Sequence, residues 1–417
     1  MLCGILVCVR RFLILVALLC CGTTLVVAFW VLRSPVLSFG DVRHLFAGVF
    51  FTESITPEDL KEIYTRATHG ERKLRVLIVP GHDSDAWGTE FRGVREADMT
   101  VALGEELARI LALDSAFEPI LTRTETGYTP EFQNYFGTER DTIATFIDEK
   151  KQTMRELVRA GSVHLTDGVI HNSAPNEVAR KLYSINKWAN EHRVDIVLHL
   201  HFNDYPGRRN EKAGRYNGFA LYVPDAQFSN ARASRAVALS LLKQFLKFYA
   251  ESNLPIEDGG IVEDQALIAT GSYNTLDPAS VLIEYGYIYE QKFADTDVRS
   301  RIFKELAFQT YHGLNRFFGK NGEIFQKYPT TLLPHTWNEP LASGETGNPS
   351  VLSLQAALLF EDLYPPAGRS KRDCPLTGSF GPCTLLAVQR FQQKYGLPAS
   401  GNVGELTLQK LNEKFSK

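Results

Sequence analysis

Along most of the chain, short apolar runs alternate with longer segments whose apolar residues recur every three or four positions. The run over residues 74–79 is β-type and ends in a Pro-Gly turn, whereas residues 99–113 have the spacing of an amphipathic helix. Further strands are predicted over 119–123, 194–201, 218–223 and 280–284, and further helices near 178–191, 231–249 and 298–318. Such alternation predicts an α/β fold with a mostly parallel, twisted sheet that has helices on both faces.

A longer apolar segment lies near the N-terminus. Residues 12–32 carry no charge and are apolar apart from Thr23 and Thr24, and their number is about the 20 that a helix needs to cross a bilayer core. Arginines before this segment favour the cytoplasmic side. The sequence therefore predicts a cytoplasmic tail (1–11), a transmembrane helix (12–32) and a single-pass location in the cytoplasmic (inner) membrane, with the rest of the chain on its periplasmic or extracellular side. A cleaved signal peptide is the alternative.

The rest of the chain divides into segments by composition and pattern. Residues 33–73 are predicted to form a stalk, and residues 74–319 the central α/β domain. Residues 320–348 are rich in proline and glycine, which indicates a linker. Residues 349–417 are predicted to form a small C-terminal helical bundle. Within the central domain, residues 124–175 are predicted to be an insertion that contains a charged helix.

Composition narrows the function classes. The 417 residues are 44% hydrophobic and 22% charged, as expected of a folded protein with more than one domain. The 45 basic and 48 acidic residues nearly balance, which argues against a nucleic-acid binder. Four of the six cysteines lie in or beside the N-terminal apolar segment, so a thiolate metal site in the central domain is excluded. Cys374 and Cys383 either form a disulfide or are two unrelated buried side chains.

Four residues far apart in sequence suit a zinc hydrolase. His82, His201 and Glu284 lie at the ends of predicted strands, and Glu96 begins a predicted helix. Two imidazoles and a carboxylate are typical zinc ligands that leave a fourth position for water, and a further carboxylate can transfer protons. His199 lies two residues before His201 and therefore on the same face of the strand. The choice between them as ligand stays open, with His201 preferred.

The residues around these positions resemble the zinc-dependent N-acetylmuramoyl-L-alanine amidases, hydrolases that remove peptide stems from bacterial peptidoglycan. Family members carry Asp-Pro-Gly-His-Gly-Gly before Glu-Lys-Asp, then Ala-Asp-x-x-x-Ser-Ile-His-x-Asn and Pro-x-x-Leu-Val-Glu-x-Gly-Phe. This chain matches those patterns at 79–84, 96–98, 194–203 and 278–287. The last match has one extra residue in its early spacing.

The resemblance implies a role for each matched residue. Zn²⁺ would be bound by His82, Glu96 and His201, with Glu284 as the catalytic acid and base. Residues expected to orient the site from just outside the ligand set are His199, Asp98 and Asn203. The alternative for Glu284 is a structural carboxylate paired with an arginine such as Arg123.

The implied reaction is hydrolysis of the amide bond between N-acetylmuramic acid and L-alanine, during remodelling of the cell wall. Val79, Asp83 and Ser84 replace the aspartate and the two glycines of the family pattern. These departures keep open a catalytically inactive peptidoglycan-binding or regulatory protein, because a fold does not guarantee a function. A zinc peptidase that cuts within the stem peptide is a second alternative.

Two further segments bear on partners. Residues 349–411 resemble a peptidoglycan-binding module with a Leu-Gln helix, a Gly-x-Phe-Gly-Pro-x-Thr turn and an Ala-Val-x-x-Phe-Gln helix. This resemblance implies peptidoglycan as the partner. The insertion at 124–175 is either a surface decoration or a barrier to the site that a protein activator displaces.

Overall fold

The computed structural model describes residues 51–166, 174–205, 207–209, 211–320 and 328–416. The strands of the central domain are β1 (Leu74–Pro80), β2 (Glu90–Phe91), β3 (Val94–Arg95), β4 (Phe117–Leu121), β5 (Arg123–Thr124), β6 (Gly127–Tyr128), β7 (Ile196–Asn203), β8 (Ala220–Pro224), β9 (Ile261–Asp264) and β10 (Ala279–Tyr287). Its helices, with the one that precedes it, are α1 (Pro57–Thr68), α2 (Glu96–Ala112), α3 (Pro130–Thr138), α4 (Arg140–Arg159), α5 (Asn176–Glu191), α6 (Ala231–Phe245) and α7 (Thr296–Phe317). The C-terminal module has α8 (Pro349–Phe360), α9 (Pro382–Lys394) and α10 (Glu405–Phe415).

Six strands form one sheet in the order β4-β1-β7-β10-β8-β9. Neighbouring strands are parallel except β10 and β8, which are antiparallel. Two parallel strands need a crossover connection, usually a helix. The chain instead passes from the end of β7 to β8 through a loop at the same edge of the sheet, so β8 runs antiparallel to its neighbour β10. The strands β1, β7 and β10 are parallel neighbours, so their carboxyl ends lie together, where ligands of such sheets gather.

Alternating side chains of the strands face two different apolar layers. In β1, Val76 and Ile78 pack in the core that contains α2, α6 and α7, whereas Leu77 and Val79 pack against α5 on the other face. In β7, His199 and His201 have the side-chain parity of Val197, which lies on the α5 face. Helices therefore pack on both faces of the sheet.

The insertion folds as α3 and α4 against α5. Of the 20 residues in α4, only Ile143 and Met154 are buried, which agrees with the charged helix that the sequence predicts. Lys150 Nζ donates to the carbonyl of Asn274 at 3.0 Å, which fixes α4 beside a short 3-10 turn (Ser272–Asn274). A barrier role for this insertion, and an activator that displaces it, stay predictions.

The segment after residue 327 belongs to the C-terminal module. Trp337 is buried and its Nε1 donates to the carbonyl of Ser350 at 2.9 Å. Leu341 pairs with Val403 in an isolated β-bridge. Cys374 and Cys383 form a disulfide, which decides between the two alternatives left by the sequence. The apolar core of the module is continuous with that of the central domain.

The fold class predicted from the sequence is wrong as stated and is corrected to a mixed α/β fold with a C-terminal helical region. The sheet is mixed because β8 runs against β10. Within the described ranges, no helix has the length and apolarity to cross a bilayer, since long helices such as α4 and α7 carry charged residues. The transmembrane helix predicted over 12–32 therefore has no support, and that segment lies outside the described residues.

Candidate metal centre

The first imidazole follows directly after β1. The chain turns at Gly81, where a Cβ atom would collide with the imidazole ring of His201. His82 then adopts a left-handed backbone conformation with φ 63°, which is uncommon for a residue other than glycine. Such strain persists where the surroundings impose it, often at functional sites. The Pro-Gly-His sequence thus lets the backbone pass close to the ring of His201 and places the ring of His82 beside it.

The carboxylate between the imidazoles comes from the first residue of α2. Glu96 lies at the positive end of the helix dipole, which favours its ionised form. Its Oε1 accepts from the backbone N–H of Phe202 at 3.2 Å, and its Oε2 accepts from that of Thr89 at 3.1 Å. Gly88 lies against this carboxylate with φ 76°, and a Cβ atom there would collide with Glu96 Oε2 and the ring of His82. This role of Gly88 was not predicted from the sequence, because the only signal for it was the position of Gly88 in the loop before Glu96.

These three side chains converge. Glu96 Oε1 lies 3.0 Å from His201 Nδ1, and Glu96 Oε2 lies 3.2 Å from His82 Nε2. One ligand atom from each residue lies within 4.8 Å of the other two. The donor set of two nitrogens and one oxygen fits zinc, and the two glycines leave room around it. The residues present therefore fit a metal ion of this kind.

The electrostatics favour the protonation states that a metal needs. Burial alone would raise the pKa of Glu96, but the charge of His82 and the hydrogen bond with His201 lower it below the usual value. Burial lowers the pKa of His201, which favours the neutral ring. Burial also opposes charge on His82, but Glu96 raises its pKa overall. An ionised carboxylate and neutral imidazoles are the ligand forms, so protons compete with the metal chiefly at His82.

Arg123 holds both ligand segments in place. Its side chain is buried and donates to the carbonyls of Gly81 at 2.7 Å and Ala97 at 2.9 Å. It also donates to the carbonyl of Pro80 at 3.2 Å. These contacts join the His82 turn to the start of α2. Arg123 therefore has a structural role, and no hydrogen bond or ion pair joins it to Glu284 in the described part of the chain.

Glu284 lies on β10 directly opposite His201 in the sheet register. Its Oε2 is buried and has no hydrogen-bond partner among the described residues. Burial raises its pKa well above the usual value, and the charges of Glu96 and Glu257 add to the effect. A carboxyl group that holds a proton easily beside a metal site is suited to general acid and base chemistry.

The remaining predicted residues lie outside the group of three converging side chains. His199 is 1% exposed, its two ring nitrogens have no partner among the described residues, and burial, with the charge of His201, lowers its pKa to about 3. It does not belong to the convergent ligand group, and neither does Asp98, which is exposed. Asn203 Nδ2 donates to Glu257 Oε1 at 2.6 Å.

Glu257 was not found from the sequence. This buried carboxylate also accepts from the hydroxyl groups of Tyr222 at 2.7 Å and Tyr287 at 3.0 Å. It lies in a short 3-10 turn (Pro255–Glu257) without periodicity or motif, so no local pattern indicated it.

One departure from the family pattern has a structural explanation. Asp83 Oδ2 lies 2.7 Å from Lys181 Nζ on α5, and Asp83 Oδ1 accepts from the backbone N–H groups of Asp85 and Ala86. The carboxylate therefore shapes the loop after His82 and fastens it to the neighbouring helix.

Comparison with known proteins follows the same division of the chain. The family model described as N-acetylmuramoyl-L-alanine amidase matches residues 76–316, more than half of the chain. A second model, described as a peptidoglycan binding domain, matches residues 347–411. A curated relative, the zinc D-Ala-D-Ala carboxypeptidase of Streptomyces albus G, is 39% identical over 77 residues. That match covers 18% of this chain and 28% of the relative's length.

Solved structures give a weaker likeness. An N-acetylmuramoyl-L-alanine amidase from Clostridium difficile 630 is 16% identical over 60% of this chain and 99% of its own, with a TM-score of 0.37. The amidase AmiC2 of Nostoc punctiforme is 17% identical over 60% of this chain and 99% of its own, with a TM-score of 0.35. At these TM-scores the likeness carries no argument about chemistry, so the family match is the finding on which the assignment depends.

Proposed function

The chain belongs to the N-acetylmuramoyl-L-alanine amidase family, and we propose that it hydrolyses the bond between N-acetylmuramic acid and L-alanine in peptidoglycan with a zinc ion as cofactor. The observation that carries this proposal is the convergence of His82, Glu96 and His201 at one sheet edge, with Glu284 beside them. Three protein ligands that leave a fourth position open to water distinguish a catalytic zinc site from a structural one, and a carboxyl group outside the ligand set can transfer protons.

The proposed mechanism assigns a task to each side chain. The two histidines and Glu96 would hold a zinc ion, which when bound would supply Lewis acidity toward the scissile carbonyl and a lower pKa for water. Glu284 takes a proton from the attacking water and returns it to the nitrogen of the departing L-alanine. Arg123 keeps the ligand segments in register through backbone carbonyls. The products are a glycan strand with a free lactyl carboxylate and a peptide with a free amino terminus.

The C-terminal module gives the enzyme its substrate contact. Its family match makes peptidoglycan the partner, and a module on the same chain raises the local concentration of wall around the catalytic domain. The Cys374–Cys383 disulfide supports a location outside the cytoplasm, because disulfides persist in oxidising compartments.

Product masses from wall digested with the purified full-length chain test this function. The proposal expects intact stem peptides with a free L-alanine amine, and about one zinc per chain by metal analysis. Fragments cut between amino acids would support a zinc peptidase instead. No release of peptides by a zinc-loaded protein would leave a wall-binding protein.

The matched control is Glu284→Gln, which keeps the shape of the side chain but removes its proton-transfer capacity. We expect this variant to bind zinc and wall as the parent does while its release of stems is slower by roughly 10²–10⁴-fold. A variant with parental activity would contradict the role assigned to Glu284, even if the wild type releases the expected products.

A further inference from the structure

A cavity of about 230 Å³ lies between the central domain and the C-terminal module. One wall is the loop over residues 213–218, which leads into β8, together with residues 289–292 after β10. The opposite wall is formed by Lys371, Arg372 and residues 375–377 of the module. Neither part of the chain encloses this space alone.

The charges around the cavity are unbalanced. Four cationic side chains line it, namely Arg215, Lys292, Lys371 and Arg372, and Glu290 is the only carboxylate among its described lining residues. That carboxylate is already occupied, because it lies 3.1 Å from Lys292 Nζ and accepts from the backbone N–H groups of Gly218 and Tyr287. The lining therefore keeps an excess of three positive charges.

The other three cations form no ion pair within the described part of the chain, although the charge of Arg372 is one of the causes that lower the pKa of the neighbouring Asp373 carboxyl. Lys371 Nζ donates to the carbonyl of Leu246 at 2.8 Å, and Arg372 donates to the carbonyl of Glu251 at 3.1 Å. Arg215 donates to the hydroxyl of Tyr216 at 2.6 Å. These contacts orient the cationic groups without neutralising them, and each retains donors for an anion.

The cavity is connected to the metal centre through one loop. The chain that leaves β7, two residues after His201, returns as the 213–218 wall. The start of this loop is fixed beside the metal ligands, since Thr89 donates its hydroxyl to Asp204 and its backbone N–H to Glu96. Residues of one loop therefore contact the metal-ligand segment at one end and line the cavity at the other.

We propose that this interdomain cavity binds a free carboxylate of a peptidoglycan stem peptide while the wall is held by the module. The proposal rests on the amidase function proposed above and extends it to substrate recognition. Arginine and lysine side chains that line one cavity suit a carboxylate, and arginine can bind it through two parallel hydrogen bonds. The cavity is smaller than the roughly 300–1,000 Å³ of sites for drug-sized molecules, which fits the end of a side chain or peptide rather than a saccharide unit.

Co-sedimentation with purified wall tests this site without catalysis, in the Glu284→Gln background so that the wall stays intact. Native wall is compared with wall whose free carboxylates have been converted to methylamides, both stripped of phosphate polymers. Lys371→Ala/Arg372→Ala should raise the dissociation constant for native wall about tenfold and leave binding to amidated wall unchanged. Arg215→Ala, which removes no contact between the two domains, should act in the same direction.

The matched control is Lys243→Ala/Lys304→Ala, which removes two exposed lysines of α6 and α7 outside the cavity lining and should bind both walls like the parent. Equal weakening on native and amidated wall would overturn the proposal, because it would show that the variants only loosen the docked module. Unchanged binding to native wall would also overturn it. An effect that appears only when phosphate polymers are left on the wall would assign the cations to phosphate and refute the carboxylate site.

If the parent chain releases no stem peptides but shows the carboxylate-dependent binding, the amidase proposal fails while this site stands. If stems are released and the binding difference is absent, only this site fails.

Discussion

The metal edge of the sheet and the C-terminal module differ in how their buried polar groups are hydrogen-bonded. At the metal edge, Glu284 Oε2 and the nitrogens of His199 have no partner among the described residues, and His82 has a positive φ. In the module, Gln355 accepts from the N–H groups of residues 377 and 378 and donates to the carbonyl of residue 379. The module uses Gln355 to hold a loop, and its unpartnered buried side-chain atoms among the described residues are two hydroxyl groups, of Ser353 and Ser379. The metal edge instead keeps an unpartnered carboxylate oxygen and imidazole nitrogens, which a metal and substrate can use.

Replacing Glu284 should give the largest effect and sharpen this contrast. In Glu284→Gln, we expect kcat to fall by roughly 10²–10⁴-fold, because the amide cannot transfer a proton. The melting temperature should not fall, since the change removes a buried carboxylate that has no hydrogen-bond partner among the described residues. Product release from wall and thermal unfolding measure the two. A fall in stability that matches the loss of activity would mean that Glu284 is part of the structural framework.

Crowding the metal pocket should have the next largest effect. In Gly88→Ala, the new Cβ displaces Glu96 and His82, so we expect zinc affinity to fall about 10- to 100-fold, as when supporting contacts of a metal site are lost. Gly70→Ala is the control, because Gly70 also has a positive φ, 86°, but nothing lies within 4 Å of its Cβ position. Both variants should lose roughly 1–2 kcal/mol of stability to the left-handed backbone. Gly88→Ala should lose more because of the collision, and only Gly88→Ala should lose zinc. Equal zinc content in the two would contradict the crowding argument.

A change in the module should lower stability without touching the chemistry. Gln392 is buried and donates to the carbonyl of Asn402 at 2.7 Å while it accepts from the N–H of Gly401 at 2.9 Å. Gln392→Ala leaves those groups unpaired, so we expect a loss of roughly 2–4 kcal/mol in unfolding free energy and weaker wall binding. The rate on a soluble muropeptide should be unchanged. Gln393→Ala, at an exposed position of the same helix, should change neither quantity.

The ion pair between Asp83 and Lys181 joins the metal loop to α5 and should give the smallest effect. Both side chains are mostly buried, and Lys181→Met should cost about 0.5–1 kcal/mol at neutral pH. Burial raises the pKa of Asp83, but Lys181 and backbone N–H groups lower it below the usual value overall. The stability that Asp83 contributes is therefore present at pH values above its unfolded-state pKa. It is lost as the pH falls through the pKa of Asp83 in the folded state.

Unfolding measured across pH checks this sign. The difference in stability between the wild type and Lys181→Met should shrink as the solution becomes acidic. Lys187→Met removes the ion pair between Lys187 and Glu191 on the same helix. This variant should leave zinc affinity unchanged. A difference that grows in acid would show that Asp83 is not the partner that matters.

Local pattern accounts for most elements of the central domain. The apolar alternation of residues 74–79 and the spacing of residues 99–113 correspond to β1 and α2 within a few residues. The sequence placed His82, Glu96 and His201 at strand ends and a helix start, and parallel strands bring such positions to one edge. The direction of β8 was not predicted, because the periodicity of a strand is the same whichever way it runs.

The sequence by itself determined the alternating strands and helices, the types of metal ligand and the family. Each strand, helix and motif is a pattern of residues near one another in the chain, even though the motifs themselves lie far apart. Only the tertiary structure showed that a side chain at Gly88 would collide with the metal ligands. It alone also showed the contacts of Arg123, the burial of Glu257 and the basic cavity between the domains. Apart from Gly88, whose contacts with His82 and Glu96 are within eight residues of it, these features join segments separated by tens to more than a hundred residues. Their energies come from distances and burial that no local pattern encodes.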